Sequence, residues 1–282
     1  MRNCLAVILL LFGIMSCAPK PAPVEPDPKP EPKPVPVFET SYEAIANMGV
    51  GWNRGNTLES LWTGDTDGRD WKKWETGWGQ AVTRPELMTM MRDAGFGAIR
   101  VPVSWGVHMD ASGKVYDESM NRVNEVVDYV LDAGLYCIIN IHHDTGADEE
   151  LAWLVASPQG YSTARERYES LWKQIAERFR DYDQRLLFES YNEMLDDGRS
   201  WCFASMSLGY DAEAAAGAYK AINDYAQSFV DVVRATGGNN SVRNLVVNTY
   251  GACNGAGDWN PHLLDPLKYM RRPVDKVADH IL

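Results

Sequence analysis

No segment of this chain gathers lysine and arginine: 27 basic residues stand against 39 acidic ones, a formal net charge of −12. A nucleic-acid partner needs clustered cations to neutralise phosphates, so that class is excluded and an uncharged ligand fits better. Cysteine is scarce as well, five in 282 residues, and no cysteine and histidine spacing has the form of a zinc site. A phosphate-cradling glycine loop is missing, because GWNRGN, Gly51 to Asn56, has neither the GxGxxG spacing nor a helix directly behind it. The apolar run Leu5 to Ile14 is too short to span a bilayer.

That run follows Arg2 and reads instead as the core of a secretion signal, residues 1–17. Its ending, Ile14 to Cys17, resembles the bacterial lipobox, which would make Cys17 a lipidation site and tether the protein to a membrane without a transmembrane helix. Proline then takes nine of the eighteen positions from Pro19 to Pro36. Such a segment cannot build a core and reads as an extended stalk, residues 18–37, rising roughly 3.1 Å per residue. The folded domain is expected over 38–282. Of the remaining cysteines, Cys137 lies inside an apolar run, while Cys202 and Cys253 follow two successive strands and could pair in an oxidising compartment.

What is abundant is aromatic: ten tryptophans and thirteen tyrosines, several in Gly-, Asp- and Thr-rich segments where a core does not need them. Trp62, Trp71, Trp74 and Trp78 crowd one long loop, and exposed indoles offer flat faces to sugar rings. Around that loop the chain alternates short apolar runs with amphipathic helices. A helix is expected from Tyr42 to Met48, another with Thr83 as its cap, Pro85 in its first turn and Leu87, Met90, Met91 and Ala94 as its stripe, and others over Glu118–Ala133, Ala164–Tyr182 and Ala212–Ala235. Strands are expected at 48–56, 96–105, 135–144, 186–194 and 244–251. Apolar strands separated by helices require a parallel α/β sheet buried on both faces.

The runs end in polar residues: Asn53, then His142, His143 and Asp144, then Asn192 and Glu193, with Arg100 inside the second. Functional groups at the carboxyl ends of several strands are the mark of a (β/α)8 TIM barrel. GWNRGNTLE, ETGWGQAVT, GFGAIRVPVSW, IINIHHD, LLFESYNEM and VVNTYG, in that order, resemble glycoside hydrolase family 5 in its cellulase branch, from Ser41 to the end of the chain.

The resemblance implies roles. Glu193 would be the general acid/base and Asn192 the neighbour that binds the sugar 2-hydroxyl; Arg100 would hold the nucleophile ionised and His142 would line the site. His143 and Asn53 would lie near the substrate, with Trp78 and Trp105 as stacking platforms. No metal or organic cofactor is implied. Burial and a neighbouring carboxylate would keep Glu193 protonated near neutral pH, as an acid that protonates a leaving oxygen must be. The implied activity is retaining endo-β-1,4-glucan hydrolysis; mannan and xyloglucan stay open as substrates, and a tethered glycan-binding lipoprotein without catalysis is the reading from another class.

Two departures stand out: Arg54 where the family has leucine, and Met194 where it has proline. The barrel is expected to be truncated after strand five or the start of strand six, at DHIL, Asp279 to Leu282. No glutamate of the chain takes the nucleophile's position, and an open sheet edge would expose apolar surface.

Overall fold

The computed structural model describes residues 37–61, 67–146, 151–200, 204–205, 209–249 and 269–282. Strands β1 (Gly51–Asn53), β2 (Ala98–Val101), β3 (Tyr136–Asn140), β4 (Leu186–Glu189), β5 (Ala204–Ser205), β6 (Gly209–Tyr210) and β7 (Leu245–Val246) alternate with helices α1 (Ser41–Met48), α2 (Trp71–Glu75), α3 (Pro85–Asp93), α4 (Asp117–Asp132), α5 (Pro158–Arg178) and α6 (Ala212–Ala235). Five of the strands form one sheet in the order β1-β2-β3-β4-β7, every neighbour parallel. All their carboxyl ends therefore open on one side. The antiparallel pair β5–β6 was not legible in the sequence.

The strands are shorter than the apolar runs that announced them, and β2 shows why. Pro102 follows Val101 and has no N–H to give to a ladder. Val103 then donates its N–H to the Asn140 side chain instead of a strand carbonyl. Beyond the sheet, Ile281 bridges Leu245 in parallel. Leu245 donates its N–H to the His280 carbonyl (3.0 Å) and Leu282 donates to that of Leu245 (2.8 Å), so residues 280–282 run beside β7. Against this edge runs a groove of about 490 Å3 lined by Ile45, Val247, Met270, Ile281 and Leu282 among others.

The helical stripes are buried where their spacing puts them. Val123, Val126, Val127 and Val130 of α4, Leu171 and Ile175 of α5, and Ile222, Tyr225, Phe229 and Val233 of α6 all enter one core. α3 differs from its expected form. Its cap is Arg84, with no side-chain bond, and its buried residues are Met88 and Met91 while Met90 is exposed. Thr83 is not the cap because its groups are engaged elsewhere, as described below. α5 starts six residues earlier than expected, at Pro158, because Ser157 accepts a hydrogen bond from Gly160 and Pro158 fits the first turn.

Cys137 is buried, and burial pushes its thiol pKa up, as suits an inert core residue. Cys17, the signal, nearly all of the stalk, Trp62 and the proposed Cys202–Cys253 pair lie outside the described residues.

Candidate active site

The polar residues at the carboxyl ends are joined by bonds across strands. In register, Asn53 of β1 stands beside Arg100 of β2, and Asn140 of β3 beside Glu189 of β4. Arg100 spans from the second strand to the fourth. Its Nε lies 2.5 Å from Glu189 Oε2, and its Nη2 lies 2.8 Å from Glu189 Oε1 and 3.1 Å from Asn192 Oδ1. Burial works against the guanidinium charge, but the Glu189 bond and the fields of Glu189, Glu59 and Glu193 hold its pKa above the ordinary value. Because Asn192 accepts from Arg100 through oxygen, its NH2 group is its side-chain donor. Asn248, in the loop after β7, donates to Glu189 Oε1 (3.0 Å) and so extends the network to a fifth strand.

Glu189 is the residue the sequence did not reveal. It sits in the apolar run LLFES, 5% exposed, and reads there as part of a strand core. A charged residue in such a run was the available signal, since a buried carboxylate requires a partner. Arg100 was expected to face a nucleophile; among the described residues its carboxylate partner is Glu189.

The ladder continues past the formal strand ends, which is what places the next side chains. His142 donates its N–H to the Val103 carbonyl (2.8 Å) and Asn192 to the Ile141 carbonyl (2.7 Å). The Asn140 amide is oriented by Val103 N–H on its oxygen, so its Nδ2 faces His142 Nδ1 at 3.1 Å. The ring therefore accepts at Nδ1 and carries its proton on Nε2. Burial first, then the fields of His143 and Arg100, push the His142 pKa down to about 2, so it is a neutral donor at any working pH.

This has a consequence for stability. The folded ring stays neutral down to about pH 2, whereas in the unfolded chain it binds a proton below its ordinary value of 6.5. Acidification through that interval favours unfolding. His142→Phe should therefore lose less stability than wild type between pH 7 and pH 4, by about 3 kcal/mol, in urea unfolding at the two pH values. Equal losses would contradict the buried neutral ring.

Trp78 and His143 form the exposed aromatic part. Trp78 is 40% exposed and meets the His143 ring edge to face, with centroids 5.4 Å apart; His143 meets His142 in the same way at 4.6 Å. Trp105 is not a platform. It is 1% exposed, its indole donates to the Asn140 carbonyl (2.8 Å), and its backbone N–H donates to the buried carboxylate of Asp144 (2.8 Å). Asp144 also accepts from Gly106 N–H and from Trp153 Nε1, both at 2.6 Å, and this pins the loop after β2 against that after β3. Glu193, expected to be buried, is exposed. Asn53 is exposed as well, at the end of β1. Asn192, three residues past β4, is less exposed than either.

Parallel strands whose carboxyl ends gather an arginine, amides, a neutral histidine and an exposed acid define an α/β protein with a polar, enzyme-like site at one end of its sheet. The family model described as "Cellulase (glycosyl hydrolase family 5)" matches residues 62–275. The chain belongs to glycosyl hydrolase family 5, in the endoglucanase branch designated GH5-4. It is 35% identical over 218 residues to Endoglucanase A of Clostridium longisporum, covering 77% of this chain and 40% of that enzyme. Among solved structures, a GH5-4 broad-specificity endoglucanase from an uncultured bacterium is 55% identical with a TM-score of 0.80, covering 87% of this chain and 67% of that one. A family 5 enzyme of Prevotella bryantii, solved with a xyloglucan tetradecasaccharide, is 43% identical with a TM-score of 0.76, covering 87% of this chain and 65% of that one. The chain thus spans well under half the length of the curated endoglucanase and about two thirds of the solved enzymes.

Proposed function

We propose that the protein is a retaining, endo-acting β-1,4-glucanase in which Glu193 is the general acid/base. The observation that carries this reading is the network joining Arg100, Glu189 and Asn192 across the strand ends, with the field of the exposed Glu193 acting on the same guanidinium. In the proposed mechanism Asn192 donates to the sugar 2-hydroxyl, neutral His142 donates through Nε2, and Trp78 beside His143 stacks on a sugar ring. Glu193 protonates the leaving oxygen and then activates water. Retention needs a second carboxylate roughly 5 to 5.5 Å away as nucleophile, and no residue of this chain is assigned that role. The sheet is read as the first part of a (β/α)8 barrel, with DHIL opening strand six.

The same reading covers the N-terminal segment. Residues 1–17 would be a lipoprotein signal, Cys17 the lipidated residue, 18–37 a stalk, and 38–282 the hydrolase domain, held at the cell surface or outer membrane. Metabolic labelling with palmitate should mark the wild type and not Cys17→Ser; label retained by the variant would reject the anchor.

Leading substrates are unbranched β-1,4-glucans, with xyloglucan next because a 43%-identical relative was solved with it; mannan comes last. Electrophoresis in gels containing soluble glucan, paired with a reducing-sugar assay, tests the proposal. Retardation is expected, with new reducing ends from a form of the protein that supplies the second carboxylate. Retardation alone favours a tethered glycan-binding protein, which the Trp78–His143 platform would also serve, and neither effect rejects both readings.

A further inference from the structure

Arg54 occupies the position where the family resemblance gives leucine, and it is 6% exposed. A guanidinium held out of water is unfavourable unless its donors are used. Here they are aimed at one short segment. Nε donates to the Thr83 hydroxyl (3.0 Å) and Nη2 to the Ala81 carbonyl (2.8 Å).

The far side of that segment is held by a second buried charge pair. Arg122 of α4 lies 2.9 Å from Glu75 at the end of α2, with side-chain exposures of 3% and 0%. Glu75 Oε1 accepts from Thr83 N–H (2.7 Å), and Arg122 Nη2 donates to the Thr83 carbonyl (2.8 Å). The N–H, carbonyl and hydroxyl of Thr83 are thus all engaged, which is why it does not cap α3. Residues 76–82, TGWGQAV, are closed at both ends, and Trp78 projects from them onto His143. Arg54 itself is fixed, since its N–H donates to the Arg100 carbonyl (2.8 Å) in continuation of the β1–β2 ladder.

We infer that Arg54 is a positioning residue that ties the loop carrying Trp78 to the carboxyl end of β1, and so holds the aromatic platform in place beside His143. Its hydrogen bonds couple the loop to the same strand pair that presents Asn53 and Arg100. Leucine would fill part of the volume but leave the Ala81 carbonyl and the Thr83 hydroxyl without that donor, and Trp78 would range over more positions. The effect on ligand rests on the β-glucan reading above; the tie itself does not.

The test has two arms. By amide hydrogen exchange, Arg54→Leu should speed exchange at 76–82 by roughly tenfold while β3 and β4 keep wild-type protection. Thr83→Val, which removes only the hydroxyl acceptor, should move the same amides in the same direction and serves if the leucine variant does not fold. In calorimetry with cellotetraose, Arg54→Leu should weaken binding about fivefold in the wild-type background and by less than about 1.5-fold in Trp78→Ala, because the residue acts through the indole. Unchanged exchange at 76–82, exchange raised throughout the sheet, or equal affinity losses in both backgrounds would overturn the inference. A wild-type chain that does not bind cellotetraose but shows the local exchange effect would reject the β-glucan reading and uphold the tie.

Discussion

In any form of the protein that turns over β-glucan, Glu193→Gln should lower the rate on an unactivated glucan by roughly 10³-fold and leave oligosaccharide affinity within about twofold. The amide has the shape of the acid and keeps its hydrogen-bonding reach, but has no proton of suitable acidity for a leaving alkoxide. Selectivity by leaving group makes the prediction sharper. An aryl glycoside with an acidic phenol needs little protonation, so its cleavage to the glycosyl-enzyme should be nearly spared, and turnover should then stall at the hydrolytic step where Glu193 serves as base. Equal losses in the step that forms the glycosyl-enzyme on both substrates would point to a structural role for Glu193. Its exposure argues against one, since an exposed side chain has little packing to lose.

Glu189→Ala is expected to have the largest effect on stability. The Arg100–Glu189 pair has side-chain exposures of 21% and 7%, and removing the carboxylate leaves a mostly buried guanidinium that has lost its hydrogen-bonded counter-charge and keeps only the fields of Glu59 and Glu193. Breaking such a pair from one side costs about 3 to 5 kcal/mol, against far less when both partners become apolar. Arg100→Met combined with Glu189→Met should therefore recover much of the stability lost by Glu189→Ala, as read by urea unfolding. The double variant should not recover oligosaccharide binding, because it also loses the Arg100 bond that orients Asn192. A double variant as unstable as the single one would mean that packing around β4, not the charge, carries the cost.

Much of the fold was legible because the signals are local. The valines of α4 and the Ile222-to-Val233 stripe of α6 are spaced for one face each, and they are buried on that face. Gly95 and Gly134 end helices in the left-handed region, φ +96° and +84°, as glycine there suggests. The strand ends bearing Arg100, His142 and Asn192 could be located for the same reason: a polar residue interrupts an apolar run. What the sequence hid are partnerships between distant residues. Arg100 and Glu189 are 89 positions apart, Arg122 and Glu75 are 47, and nothing in either neighbourhood names the other. Trp105 misled for a related reason. An indole after a strand reads as a platform, yet the Asn140 carbonyl and the Asp144 carboxylate satisfy its polar groups and draw it inside. Thr83 likewise carries a cap's sequence signature while its hydroxyl and backbone serve the Trp78 loop.

Chemical rescue of Glu193→Ala by azide, in a form of the protein that turns over β-glucan, tests the central claim most directly. The substrate is a 2,4-dinitrophenyl β-cellobioside, whose leaving group needs no acid, and the product is followed by proton NMR. If Glu193 is the acid/base of a retaining enzyme, removing it opens room for a small anion that needs no base. Azide should then accelerate turnover and yield the β-configured cellobiosyl azide. No acceleration, or an azide of α configuration, would contradict the assignment.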